Sequence, residues 1–335
     1  MNAKTLTRLA ALALTLSFGG TALAATIKPA VIYDLGGKSD KSFNEGAFHG
    51  AQKFQKDTGI AFRDFEIQND AQREQAMRKF AQDGYSPIIA IGFSQASALA
   101  KVAPDFPKTQ FAIVDSVVKA PNVESIVFKE QEGSFLVGIL AALASKTGKV
   151  GFVGGMDIPL IRKFECGYAQ GVKYAAPKDV VIQNMIGTTG AAWNDPVKGG
   201  ELTKAQIAEG ADVIYHAAGG SGVGVLRAAA DAGKLGIGVD SDQDGLFPGK
   251  VLTSMLKRVD VAVYKTFSDA SAGKWQPGVV VLGLKQGGIG WAQDSFNKAL
   301  ITPAMAKAVN GATAAIIGGG IQVHDYMADS KCPLQ

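Results

Sequence analysis

Three carboxylates in this chain follow directly on short apolar runs: Asp34 on Ala30–Tyr33, Asp115 on Phe111–Val114, and Asp240 on Gly236–Val239. In open α/β sheets the carboxyl ends of buried strands are where small molecules bind. Just past the first run, Asp40-Lys41-Ser42-Phe43-Asn44 opens a helical stretch and sets an aromatic ring beside a carboxamide. An aromatic next to carboxylate and amide groups suits a flat, hydrogen-bonding, sugar-like or base-like ligand better than a phosphate. Trp193 sits in a glycine-rich loop, Trp193-Asn194-Asp195, ahead of a helix that starts at Pro196. Gly219 lies in the run Ala217–Gly222, which can bring backbone N–H groups close to a ligand, and Lys257 closes the run Leu252–Leu256. Each has a plainer alternative. Phe43 could be core, Asp115 and Asp240 helix N-caps, Trp193 a loop residue packed on its own domain, and Lys257 a solvated strand end.

Reaction chemistry finds little support. The chain has no GxSxG, no HExxH and no cysteine paired with a nearby histidine, and no lysine follows Gly222 to complete a phosphate-binding P-loop. His49, His216 and His324 are scattered, and no Cys/His cluster has metal-ligand spacing, so no metal and no cofactor is expected. Carboxylates facing each other across a cleft could hydrolyse a glycosidic bond, but aspartates that bind sugar hydroxyls look the same in sequence. A binding protein is the expectation.

The elements that must position these residues alternate throughout. Strand-like runs at 30–33, 61–66, 87–91, 110–114 and 123–128 are separated by helical stretches at about 42–58, 71–83, 94–102 and 131–145. The pattern restarts with runs at 149–153, 180–186, 213–216, 235–239, 251–256 and 278–284, and helices at about 161–175, 196–209, 222–232 and 259–272. Buried four- to six-residue runs between helices predict parallel sheets covered on both faces, here as two α/β units joined near 145–149. A chain of 335 residues also exceeds what one core usually reaches.

Lys4 and Arg8, the apolar stretch Leu9–Phe18 and the small residues Ala22-Leu23-Ala24 read as a signal peptide over residues 1–24. Its loss would lower the formal charge from +4 to about +2, which argues against nucleic acid or an anionic membrane as partner. No cysteine lies near the cleavage site, so no lipobox is present. Cys166 and Cys332 could pair in an oxidising compartment and tie the C-terminal tail to a helix of the second unit; sequence leaves this open.

Five ordered segments, Asp40–Asn44, Ala112–Asp115, Trp193–Asp195, Gly238–Gln243 and Leu252–Lys257, resemble the basic membrane protein (BMP) family of PnrA-like ABC-transporter substrate-binding proteins. The resemblance implies a type I periplasmic-binding-protein fold, with two Rossmann-like lobes, a ligand cleft and three hinge crossings. Lobes of 25–146 plus about 253–278, and 147–252 plus about 279–335, are expected. It further implies a purine nucleoside as ligand. Phe43 and Trp193 would stack on the base, Asp115, supported by Asn44 and Asp34, would read its edge, and Gly219, Asp240 and Lys257 would hold the ribose. The implied partner is a permease in the inner membrane, and the implied state a free, monomeric periplasmic protein. A free nucleobase or other small heteroaromatic, or a secreted nucleosidase activity, are the competing readings.

Overall fold

In a computed structural model, residues 27–334 are described; the signal segment lies outside them. The central apolar runs are strands buried on both faces, as the lack of alternation along them requires, while the strands at Arg63–Glu66, Val180–Gly187 and Gly278–Leu282 are partly exposed. The first part runs β1 (Ala30–Tyr33), α1 (Phe43–Thr58), β2 (Arg63–Glu66), α2 (Ala71–Gln82), β3 (Ile88–Ala90), α3 (Ala96–Val102), β4 (Phe111–Val114), β5 (Val123–Phe128) and α4 (Glu130–Ala144). The second runs β6 (Lys149–Met156), α5 (Pro159–Ala175), β7 (Val180–Gly187), α6 (Pro196–Ala208), β8 (Val213–Ala217), α7 (Gly222–Asp231), β9 (Leu235–Asp240) and β10 (Val251–Lys257). The chain ends with α8 (Val259–Ser271), β11 (Gly278–Leu282), β12 (Ile289–Trp291) and α9 (Pro303–Ile317).

Two six-stranded sheets result, ordered β11-β5-β4-β3-β1-β2 and β12-β10-β9-β8-β6-β7. All pairings between these strands are parallel except β10 with β12. This is the two-lobed α/β architecture expected from the sequence.

The first lobe boundary lies well before the expected 146, while the other two come within a few residues of the expected positions, about 253 and 278. Helix α4 packs on α5 and on β10, so it belongs to the second lobe, and the first crossing comes at Lys129. The contact is close: a Cβ on Gly171 of α5 would lie 2.0 Å from the Phe135 carbonyl oxygen of α4. Strand β10 is wholly in the second sheet and β11 wholly in the first, so the other crossings follow Lys257 and Leu282. Backbone bonds join the three crossings side by side: Lys129 N–H donates to the Leu282 carbonyl (3.0 Å) and Arg258 N–H to the Gly288 carbonyl (2.9 Å).

Two elements escaped the sequence reading, β12 and α9. The first has only three residues, one of them glycine. The second carried a usable signal, because the Thr302 hydroxyl accepts from Met305 N–H and Pro303 takes the first helical position. The open cysteine question resolves as a disulfide between Cys166 on α5 and Cys332, with Cα atoms 5.6 Å apart. Gln170 reinforces that attachment, donating to the His324 carbonyl (3.1 Å) and accepting from His324 N–H (2.8 Å).

Candidate functional site

The first-lobe wall is built around the end of β1. Both carboxylate oxygens of Asp34 have protein partners: Oδ1 accepts from Arg73 Nη1 (2.5 Å) and from Leu35 N–H (2.8 Å), while Oδ2 accepts from Ser94 Oγ. Asn44 clamps the Asp34 backbone, its Oδ1 accepting from Asp34 N–H (3.1 Å) and its Nδ2 donating to the Asp34 carbonyl (3.4 Å). Asp40 caps α1. Its carboxylate accepts from the N–H groups of Ser42 (2.9 Å), Asn44 (2.9 Å) and Glu45 (3.0 Å), satisfying donors that the helix start leaves free. That cap fixes Phe43 as the first helical residue, with its half-buried ring on the cleft.

Asp115 and Asp240 hold equivalent places in the two lobes, and both have left-handed backbones, φ 70° and 64°. Such φ values are uncommon outside glycine and cost on the order of 1–3 kcal/mol, so the surrounding structure must impose them. Neither carboxylate caps a helix, which sets aside the N-cap alternative. Asp115 Oδ2 accepts from Lys257 Nζ (2.6 Å), and Asp240 Oδ2 accepts from the hydroxyl of Ser42 (2.5 Å) in the opposite lobe. Asp115 Oδ1 is buried with no hydrogen-bond partner among the described residues.

Lys257 is not solvated; it is 3 % exposed. Its ammonium pairs with Asp115 across the cleft and with Glu130 (Oε1, 3.0 Å), and lies 5.1 to 5.5 Å from the ring centres of Phe43, Phe128 and Phe164. Burial opposes its charge, but Asp115, Glu130 and Asp240 outweigh that and raise its pKa above the usual lysine value. Burial pushes both Asp115 and Asp240 up to about 6, with Lys257 pulling the other way. His216 lies behind this wall, bonded to Gln243 Oε1 (2.9 Å), and burial lowers it to about 4.

The second-lobe wall centres on Trp193, at the end of a 3-10 turn over Gly190–Trp193. The half-buried indole lies flat against β6, where a Cβ on Gly155 would sit 2.2 Å from Cζ3; only glycine leaves room for the ring. Asp195 caps α6 by accepting from Lys198 N–H (2.8 Å), and the Ser221 hydroxyl accepts from Asp195 N–H (2.7 Å), tying this loop to the Gly219–Ser221 turn. Gly219, at φ 53°, borders the same cleft.

All eight residues singled out in the sequence line one cleft, which encloses about 580 Å³ including its open mouth. That is within the range of small-molecule sites. Asp40, Phe93, Leu160, Ile161 and Phe164 also line it. Phe93 had a signal, since it stands just past the run that ends at Ile91, as Asp34 and Asp115 do past theirs. Phe164 and Ile161 had none, because on α5 they look like ordinary core positions.

The lobes also touch beyond the cleft. Ser241 Oγ donates to the Ser42 carbonyl (2.8 Å) and Gln243 Nε2 to that of Lys41 (2.9 Å), so the loop after β9 is latched onto the start of α1.

Residues 27–324 match the family described as ABC transporter substrate-binding protein PnrA-like (Bmp). The chain is 35% identical over 297 residues to a CD4+ T-cell-stimulating antigen of Listeria monocytogenes, covering 80% of this chain and 81% of that protein. It is 34% identical over 305 residues to the ABC transporter nucleoside-binding protein BmpA of Lactococcus lactis, covering 84% and 86%. Its fold matches the crystal structure of an ABC transporter solute-binding protein from Aeropyrum pernix K1 with a TM-score of 0.82 at 30% identity, over 89% and 93% of the two chains. The two-sheet fold is thus shared with a solute-binding protein, and the chain, with its type I periplasmic-binding fold, belongs to the Bmp family of PnrA-like ABC transporter substrate-binding proteins.

Proposed function

We propose that this protein binds a purine nucleoside between its lobes and delivers it to an ABC permease. The observation that carries the reading is the convergence, in one cleft, of Phe43 and Trp193 from opposite lobes with the unpartnered Asp115 oxygen between the two sheets. Phe43 and Trp193 stack on the base, and stacking contributes about 1–3 kcal/mol per base in nucleic-acid sites. Asp115 accepts from an N–H on the base edge, with Asp34 and Asn44 shaping the wall beside it. Gly219, Asp240 and Lys257 hold the ribose hydroxyls. A relative that carries nucleoside binding in its name supports the choice of ligand class.

Calorimetry on ligand-stripped protein with adenosine, guanosine and inosine tests this. Binding tighter than ~100 μM, about −5.5 kcal/mol, is expected for at least one. Weaker binding of all three would reject a nucleoside ligand. The acidic lining (Asp34, Asp40, Asp115, Asp240) further predicts that a nucleoside monophosphate binds much more weakly than its nucleoside.

One observation favours a free nucleobase instead. Asp240 and Lys257 already have protein partners, Ser42 on one and Asp115 with Glu130 on the other. If no ribose is bound, Asp240→Ala should leave affinity for the preferred ligand nearly unchanged; a loss of tenfold or more assigns the sugar. A nucleosidase would release free base, so recovery of only intact nucleoside after long incubation excludes that activity.

We further infer export by residues 1–24 and a free, monomeric periplasmic protein. Among the described residues no helix is long and apolar enough to cross a membrane. Mass measurement of the mature N-terminus distinguishes a free start at Ala25 from a lipid-modified one.

A further inference from the structure

Behind Lys257 runs a line of alternating charges that leaves the cleft and ends on the C-terminal tail. Glu130, 1 % exposed, is the first residue after the first lobe crossing, and its Oε1 lies 3.0 Å from Lys257 Nζ. Its other oxygen pairs with Lys163 Nζ of α5 at 3.0 Å. That ammonium also donates to the Phe128 carbonyl (2.8 Å) and pairs with Asp325 Oδ2 (3.4 Å). Asp325 belongs to the tail segment fastened to α5 by Gln170 and by the Cys166–Cys332 disulfide. None of Glu130, Lys163 and Asp325 lines the cleft.

We propose that Glu130 is a positioning residue for Lys257, itself fixed by Lys163 and Asp325, so that the tail helps set ligand affinity from outside the cleft. A buried ammonium goes where its carboxylates are. Lys257 is shared between Asp115 in the first lobe and Glu130 in the second. Lys257 already bonds Asp115 Oδ2 at 2.6 Å, and without Glu130 no second-lobe carboxylate at 3.0 Å competes for the amine, so the pair with the carboxylate that the ligand needs tightens. Lys163 stops Glu130 from rotating away, because both Glu130 oxygens are then engaged at opposite ends. Asp325 in turn offsets the second positive charge, which the Phe128 carbonyl alone would not balance. Burial opposes charge on Glu130, yet Lys257 and Lys163 together hold its pKa below the usual value, consistent with an ionised link.

The affinity arm rests on the nucleoside reading; a ligand-free arm does not. Calorimetry with the tightest-binding of adenosine, guanosine and inosine is expected to show Glu130→Gln weakening affinity tenfold or more, and Asp325→Asn three- to tenfold. Asp325→Glu should restore it. Asp329→Asn, which alters the same tail at its bond to His324, should bind as wild type. In the ligand-free protein, carbon-13 NMR of the Asp115 carboxyl should show its titration midpoint moving down in Glu130→Gln and, by less, in Asp325→Asn, since Glu130 holds that midpoint up. Asp325 is partly exposed, so its variant should fold even if Glu130→Gln does not. Unchanged affinity and midpoint in Asp325→Asn would overturn the proposal, as would equal weakening by Asp325→Asn and Asp329→Asn. If no nucleoside binds wild type, the nucleoside reading fails and the Asp115 midpoints alone decide the coupling.

Discussion

Trp193 and Asp115 separate the two kinds of recognition this cleft offers, and they should fail differently. Trp193→Ala removes a stacking face and leaves every hydrogen bond in place. Nucleoside affinity should fall about 10- to 100-fold, near 1–3 kcal/mol, with no change in its pH dependence when measured by calorimetry. Asp115→Asn keeps the shape but removes an acceptor. With Asp115 ionising at about 6 in the folded protein, wild-type affinity should decline as pH falls through 6, because the protonated acid is a weaker, uncharged acceptor for the ligand N–H. Asp240 titrates in the same range, and both face Lys257, with Glu130 beyond it and Asp40 near Asp240. Asp115→Asn should therefore flatten part of the profile, not all of it. Stability runs in the opposite sense. A folded pKa raised above the unfolded value of 3.8 means the native state binds more protons between about pH 4 and 6. Lowering the pH through that window stabilises the fold, and raising it removes the gain. Urea titrations at pH 4.5 and 7.5 should show this difference shrinking in Asp115→Asn.

At the scale of elements, most strands were legible because they are short apolar runs bounded by glycine, proline or polar residues; β2, Arg63-Asp64-Phe65-Glu66, and the three-residue β12 are not of that kind. Of the eight residues that line the cleft, Asp34, Asp115, Asp240, Phe43 and Trp193 stood out as strand ends or loop aromatics, whereas Gly219 and Lys257 were carried by the family resemblance. What sequence could not place was partnership. Helix α4 is buried nearly all round, so its apolar pattern says that it is covered but not by which sheet, and it was assigned to the wrong lobe. Glu130 and Phe164 sit on helices of the second lobe, and their contacts with Lys257 at the end of β10 depend on tertiary packing that helical periodicity does not reveal. The glycines of the α4–α5 contact also gave no warning, since a helical glycine is usually just a weak helix former. Their role makes a direct prediction. Gly171→Ala drives a methyl into the Phe135 carbonyl and should destabilise the protein by roughly 1–3 kcal/mol in urea denaturation, while leaving pH dependence of binding as it is.

For the whole molecule, the bonds from Ser241 and Gln243 to the start of α1, with Ser42 bonded to Asp240, form a latch of direct bonds between the lobes. Ser42→Ala should shift the population toward open lobes, visible as a larger radius of gyration in X-ray scattering; an unchanged value would mean the latch does not hold closure. The disulfide closes a loop across a sequence separation of 166, for which chain entropy gives a ceiling of about 5 kcal/mol. The three crossings have a consequence for how the protein is made. The first sheet takes its last strand, β11, from residues 278–282, long after β5 has been synthesised, and the second takes β12 later still. No single cut in the chain yields a complete lobe, and no nascent segment short of residue 282 contains one. Each lobe therefore gains its last edge strand only when nearly the whole polypeptide has been made, so neither sheet is complete in the nascent chain before then.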